Sequence, residues 1–163
     1  RRGGGVPTRP DALEQEPVAA FRGRVAKTTG DGALATFDGP ARAIRCAVAL
    51  RDAVSAAGVE LRAGIHTGHP QRIGSDWLGV DVNIAARVME RATRGGLVIS
   101  HTTLDAVGGA DALAAVGVSV KRVRKQLFAT KPSGVPEDLV MYWVKPLSKP
   151  AAPGAAVDDP EGA

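Results

Sequence analysis

Asp31, Lys27, Asn83 and Arg87 are the residues whose types and spacing could do chemistry. Asp31 stands between two glycines in Lys27-Thr28-Thr29-Gly30-Asp31-Gly32, and the flanking stretches Arg24 to Thr28 and Ala33 to Phe37 alternate. That pattern is a β-hairpin with a carboxylate at its tip. A carboxylate there can hold a divalent cation together with substrate phosphates. An Asp-Gly pair would equally serve a type I′ turn by supplying positive φ. A lysine just inside a strand would equally suit a solvated face. No G-x-x-x-x-G-K-[ST] is present, so the segment is not a Walker-type loop. Asn83 and Arg87 are four residues apart on an expected helix and share a face. Ile84, Ala85 and Val88 supply its core stripe, so the polar pair projects from a first turn that follows Gly79. A guanidinium there can fork onto a phosphoryl oxygen. Asp76, seven residues before Asn83, reads as a loop residue. A metal ligand and a phosphate clamp are parts needed to work on a nucleoside triphosphate.

The elements that must position these residues follow from periodicity and turn chemistry. Arg1 to Pro10 is Gly/Pro/Arg-rich and reads as a disordered linker. Asp11 can cap a short helix, Ala12 to Phe21, which Gly23 stops. After the hairpin, Asp38 is expected to cap a helix with Pro40 in its first turn. Ala43, Ala47, Leu50 and Val54 line one face of it, and Gly58 ends it. Val59 to His66 reads as a strand with Leu61, Ala63 and Ile65 on one face. His69 to Ser75 is a turn-rich connection, and Val80 to Thr93 a helix ended by Gly95-Gly96. Leu97 to Ser100 reads as a short buried strand, Thr102 to Val107 as a short helix. Val116 to Phe128 reads as one or two strands and Leu139 to Val144 as the last. Residues 148–163, rich in Pro, Ala and Gly, read as a disordered tail. The order indicates one α+β domain over 11–147, a sandwich with helices on one face of the sheet.

Composition bounds the function class. The chain has 163 residues, 44% of them hydrophobic, which is enough for one domain with a real core. A net charge of +4 is mild and does not by itself imply nucleic acid. The single cysteine, Cys46, rules out an internal disulfide and falls on the apolar stripe of its helix. No apolar run approaches the roughly 18–20 residues that span a bilayer, and there is no signal-peptide pattern. A cytoplasmic protein without a membrane segment is the expectation. His66-x-x-His69 lies at a strand end with no Cys or Glu to complete a zinc set, so both read as structural. Lys121-Arg122-Val123-Arg124-Lys125 has only Phe128 near it and offers no stacking platform for nucleic acid. A strand edge blunted by charge is the preferred reading.

From about Phe21 to Val144 the chain resembles the catalytic domain of class III nucleotidyl cyclases, the adenylate and guanylate cyclase family. The carrying stretches are Phe21-Arg22-Gly23 through Phe37, Arg62-Ala63-Gly64-Ile65-His66-Thr67-Gly68, and Asp76 through Val88. Gly96-Leu97-Val98-Ile99-Ser100 and Gly134-Val135-Pro136-Glu137 add to them. The resemblance implies a ferredoxin-like α+β fold and a homodimer with active sites at the interface. It implies that Asp31 binds Mg²⁺ or Mn²⁺ and that Lys27 and Asp76 read the purine. Lys27 can donate to N1 of adenine and Asp76 can accept from N6. Asn83 then orients the ribose, and Arg87 stabilises the transition state at the α-phosphate. The implied reaction converts ATP to 3′,5′-cyclic AMP and pyrophosphate; the alternative is a catalytically inactive module that binds nucleotide or dimerises in a regulatory role.

The chain departs from the family in two places. The family's other metal aspartate lies on a first strand, a helical segment upstream of the hairpin. Here Asp11 is the sole upstream Asp and it is not assigned that role. The first strand is expected to be missing and the chain, which does not begin with Met, to start partway into a longer protein. That strand would sit between the Ala33–Phe37 and Val59–His66 strands, leaving both edges exposed. The second departure is Lys131-Pro132-Ser133-Gly134, where the family often has Lys-Gly directly.

Overall fold

The computed structural model of the chain describes residues 10–30, 32–74, 76–93, 95–124, 136 and 138–147. Helix α1 runs Pro10–Ala20, so Pro10 opens the helix instead of closing the linker, and Asp11 falls inside the first turn. The chain leaves α1 through Arg22, at φ 59, and the Gly23 N–H closes the turn on the Val18 carbonyl at 2.8 Å. Strands β1 (Arg24–Thr29) and β2 (Gly32–Thr36) form the expected hairpin, with Thr29 opposite Gly32 and a register shift between Val25 and Lys27. Helix α2 spans Pro40–Ala56. Its N-cap is Gly39, with no side-chain cap, so Asp38 does not play the expected part. Pro40 takes the first helical position, where its missing N–H has no intrahelical partner to lose. Cys46 is buried on α2, and burial pushes its thiol pKa up.

The next strand is shorter than its sequence suggested. β3 covers only Ala63–Ile65, because those are the residues that pair with β6. Val59, upstream, is 55% exposed. The turn-rich connection contains a second hairpin, β4 (Gln71–Ile73) and β5 (Asp76–Leu78), so Asp76 stands in a strand and not a loop. Gly74 at φ 63 serves its turn. Helix α3 is Val80–Arg91, β6 Leu97–Ser100, α4 His101–Val107, α5 Ala110–Ala115, β7 Val118–Arg122 and β8 Met141–Pro146. The sequence did not announce α5. The described residues contain no helix long and apolar enough to cross a membrane. The expected linker residues 1–9, the tail 148–163 and Lys131 to Gly134 lie outside them.

The central sheet has the order β3-β6-β8-β7, with β3–β6 parallel and the other two pairings antiparallel. The domain is thus α+β with a mostly antiparallel sheet. Helix placement differs from the expectation of helices on one face. Alternation along β6 sends Leu97 and Ile99 to one face, against Ile44 of α2, Leu104 of α4 and Leu113 of α5. Val98 points the other way, toward Ile84 and Val88 of α3. All four β6 residues are buried, which is how a strand covered on both faces reads. α3 therefore lies on the opposite face, where a continuous apolar run gave no side to choose. Among the described residues β7 is an edge strand, and its exposed Lys121 and Arg122 blunt that edge. Among the described residues β2 pairs only with β1 and β3 only with β6, so each keeps one edge without a strand partner.

Gly64 in β3 sets how closely α3 can lie on the sheet. A Cβ there would collide with the backbone of Met89, which has no flexible end to yield. Gly64→Ala is expected to cost about 1–3 kcal/mol of stability through overpacking. Urea unfolding would show it as a lower midpoint with an unchanged slope.

Candidate functional site

Four residues after Gly64, the chain turns around a second close approach. A Cβ on Gly68 would overlap the carboxyl group of Asp81, in the first turn of α3. That carboxylate is held at both oxygens. Oδ1 accepts from His66 Nε2 at 2.9 Å, and Oδ2 accepts from the His69 backbone N–H at 2.9 Å. With the carboxylate ionised, Nε2 must carry a proton. The other ring nitrogen, Nδ1, is 2.8 Å from Ser100 Oγ. Ser100 is fully buried; its Oγ accepts from the Thr103 N–H at 3.3 Å as the N-cap of α4. Thr102 and Thr103 hydroxyls each lie 3.1 Å from the same oxygen.

Ser100, His66 and Asp81 thus have the connectivity of a Ser-His-Asp triad. Burial argues against that chemistry, since a nucleophile must meet a substrate and Ser100 has 0% exposure. The chain of contacts is a structural tie between β6, β3 and α3. His66 is therefore structural, as its place at a strand end suggested. Asp81 was missed in the sequence. A signal existed, because an Asp in the first turn behind an uncapped Gly79 invites the question of what anchors that helix end.

The other site residues are placed as follows. Asn83 is exposed on α3. Arg87, one turn on, is 41% exposed, and its Nη1 donates to both Glu90 carboxylate oxygens at 2.8 and 2.7 Å. Such an exposed pair is worth at most about 1 kcal/mol. The guanidinium can therefore exchange Glu90 for a phosphoryl oxygen at little cost. Lys27 is exposed on β1 and Asp76 is exposed on β5, and β1 lies against β5. The structure thus brings the two strands together, and β5 runs through Gly79 directly into the helix that carries Asn83 and Arg87. Asp31 lies outside the described residues. The tip beside it is open, since a Cβ on Gly30 would meet nothing within 4 Å. Among the described residues no three His, Cys, Asp or Glu side chains are grouped to hold a metal ion. A cleft of about 150 Å³ separates β2 from the tie, lined by Thr36, Phe37, His66, Trp77 and Asp81 among others.

No protein-family model matches the chain. It is 38% identical over 100 residues, 56% of its length, to a putative adenylate cyclase 3 of Rhizobium meliloti (strain 1021), and spans 17% of that protein. It spans 28% of an uncharacterized Mycobacterium tuberculosis protein to which it is 33% identical over 106 residues. Among solved structures it is similar to an adenylate/guanylate cyclase/hydrolase from Silicibacter pomeroyi. There the TM-score is 0.65 and the identity 25%, over 83% of this chain and 80% of that one. It is also similar to the catalytic core of a rhodopsin-guanylyl cyclase with converted specificity. That match has TM-score 0.62 and 21% identity, over 83% of this chain and 80% of the other. The fold is that of a class III adenylate/guanylate cyclase catalytic domain.

The Asp81 carboxyl is held below the ordinary carboxylate range, chiefly by the hydrogen bond from His66. Burial works in the opposite direction, and the His69 N–H adds to the lowering. A lowered folded-state pKa means stability that is present above the ordinary value of 3.8 and is lost as pH falls through the folded value. Asp81→Asn is therefore expected to unfold more readily than the parent at pH 7. The difference should shrink as pH drops below 3.8, which urea titrations at a series of pH values would measure.

Proposed function

We propose that this domain is an adenylate cyclase that converts ATP to 3′,5′-cyclic AMP and pyrophosphate. The observation that carries the reading is the exposed Asn83–Arg87 face of α3, set beside the β4–β5 hairpin within a cyclase fold. The rhodopsin-guanylyl cyclase neighbour is described in complex with ATPαS, which shows that this fold accepts an adenine nucleotide analogue in that protein.

In this proposal Lys27 donates to adenine N1 and Asp76 accepts from the exocyclic amine. Together they select ATP over GTP, because the guanine edge would leave both groups mispaired. Asn83 hydrogen-bonds the ribose and aligns its 3′-hydroxyl with the α-phosphorus. A new P–O bond forms there as the hydroxyl proton is released to solvent and the bond to the bridging oxygen breaks, and pyrophosphate leaves. Arg87 stabilises the charge that gathers on the α-phosphoryl oxygens. Cyclisation is intramolecular, so orientation supplies much of the rate. Mg²⁺ or Mn²⁺, when bound, would supply charge neutralisation on the triphosphate, with Asp31, which follows Gly30 in sequence, as the carboxylate offered to it. A homodimer with its active sites at the interface completes the reading. Its support is apolar surface along the same arm: Ile73 is 61% exposed, Leu78 51% and Val80 55%.

The test is to incubate the chain with ATP and Mn²⁺ and measure cyclic AMP. Product is expected, with Arg87→Ala lowering its rate by about 10²–10³-fold. ATP binding without product would favour the regulatory module instead. Sedimentation should show a dimer that Ile73→Asp weakens by roughly tenfold or more, because a buried carboxylate is left unpaired. An unchanged dissociation constant would place the interface elsewhere.

A further inference from the structure

We propose that His66 and Asp81 are a positioning pair for this reaction: they pin the first turn of α3 and so fix where Asn83 and Arg87 stand. The inference rests on the cyclase reading above. α3 is preceded by its N-cap residue Gly79, whose φ is 123 and which has no side chain to cap the helix. The first turn of a helix carries N–H groups without intrahelical partners and frays unless something holds it. Here Asp81 does the holding, through both carboxylate oxygens. The partner on Oδ1, the His66 ring, is itself fastened to Ser100 at the fully buried end of β6. One imidazole therefore connects the most buried strand of the domain to a helix start that would otherwise be loose.

Three further observations fit this role. The absent side chain of Gly68 makes room for the carboxyl group. The His66 side chain is only 6% exposed, so it acts through its neighbours and not on a ligand. Asp81 precedes Asn83 by two residues and Arg87 by six on one continuous helix, so a shift of the first turn carries both. Misplacement of a reacting group by about 1 Å can cost roughly 10²-fold in rate.

The full chain would be compared with His66→Leu, which removes both ring contacts, and His66→Gln, which keeps an N–H to donate to Asp81. Amide hydrogen exchange and steady-state kinetics are the two readouts. His66→Leu should speed exchange across Asn83–Arg87 by about tenfold or more while Leu97–Ser100 stays protected. It should lower kcat by about 10–100-fold with KM for ATP changed less than about twofold. His66→Gln should recover most of both. Unchanged exchange in α3, an unchanged kcat, or no rescue by glutamine would overturn the proposal. If His66→Leu does not fold, Asp81→Asn, which keeps the side-chain shape, carries the same comparison. A parent chain that makes no cyclic AMP would overturn the cyclase reading and the catalytic half of this inference. The exchange result would still uphold or overturn the pinning itself.

Discussion

The arrangement of this domain depends on how closely α3 lies on β3. Gly64 and Gly68 both stand where a single methyl group would strike the helix, the first against the Met89 backbone and the second against the Asp81 carboxyl. Close packing of this kind is unforgiving, because interiors hold few voids into which a clash can relax. The approach also brings Asp81 within reach of His66 and the His69 N–H. Removing polar groups from water is costly unless they are hydrogen-bonded. The tie meets that condition, since no buried side-chain N or O among the described residues lacks a partner.

The central sheet supplies the frame for that contact. β6 is buried on both faces, with Leu97 and Ile99 toward α2, α4 and α5, and Val98 toward α3. The two apolar clusters are therefore separated by one strand's thickness. The end of β6 becomes polar at Ser100, and this is where the tie to His66 begins. One strand thus serves as core and as anchor for the helix that bears the candidate chemistry.

What the fold leaves on the surface is as informative as what it buries. Asn83 is exposed, and Arg87 keeps 41% of its side chain in solvent, paired with the surface carboxylate of Glu90. Ile73, Leu78 and Val80 are exposed close by. Apolar groups and a guanidinium thus share one exposed arm, the surface on which the proposed reading places the nucleotide and a second copy of the chain. A rigid helix carrying exposed polar groups can offer preorganised stabilisation of developing charge.

Much of the fold was legible in local patterns. The alternating residues around Gly30 and Gly32 specified the first hairpin, and the Ile84/Val88 stripe specified α3. Pro40 marked the start of α2 although Asp38 did not cap it. Asn83 and Arg87 could be assigned to one face because helical spacing is a local property. The turn at Gly74 was also readable in principle, but β4 and β5 are too short and too exposed to show alternation. Tertiary structure alone decided three things. It placed α3 across the sheet from α2, because a strand apolar at every position does not say which helix covers which face. It ended β3 at the residues β6 could pair, because strand length is set by the partner. It joined His66, Asp81 and Ser100, because residues 15 and 34 positions apart become neighbours only when a helix packs onto a sheet.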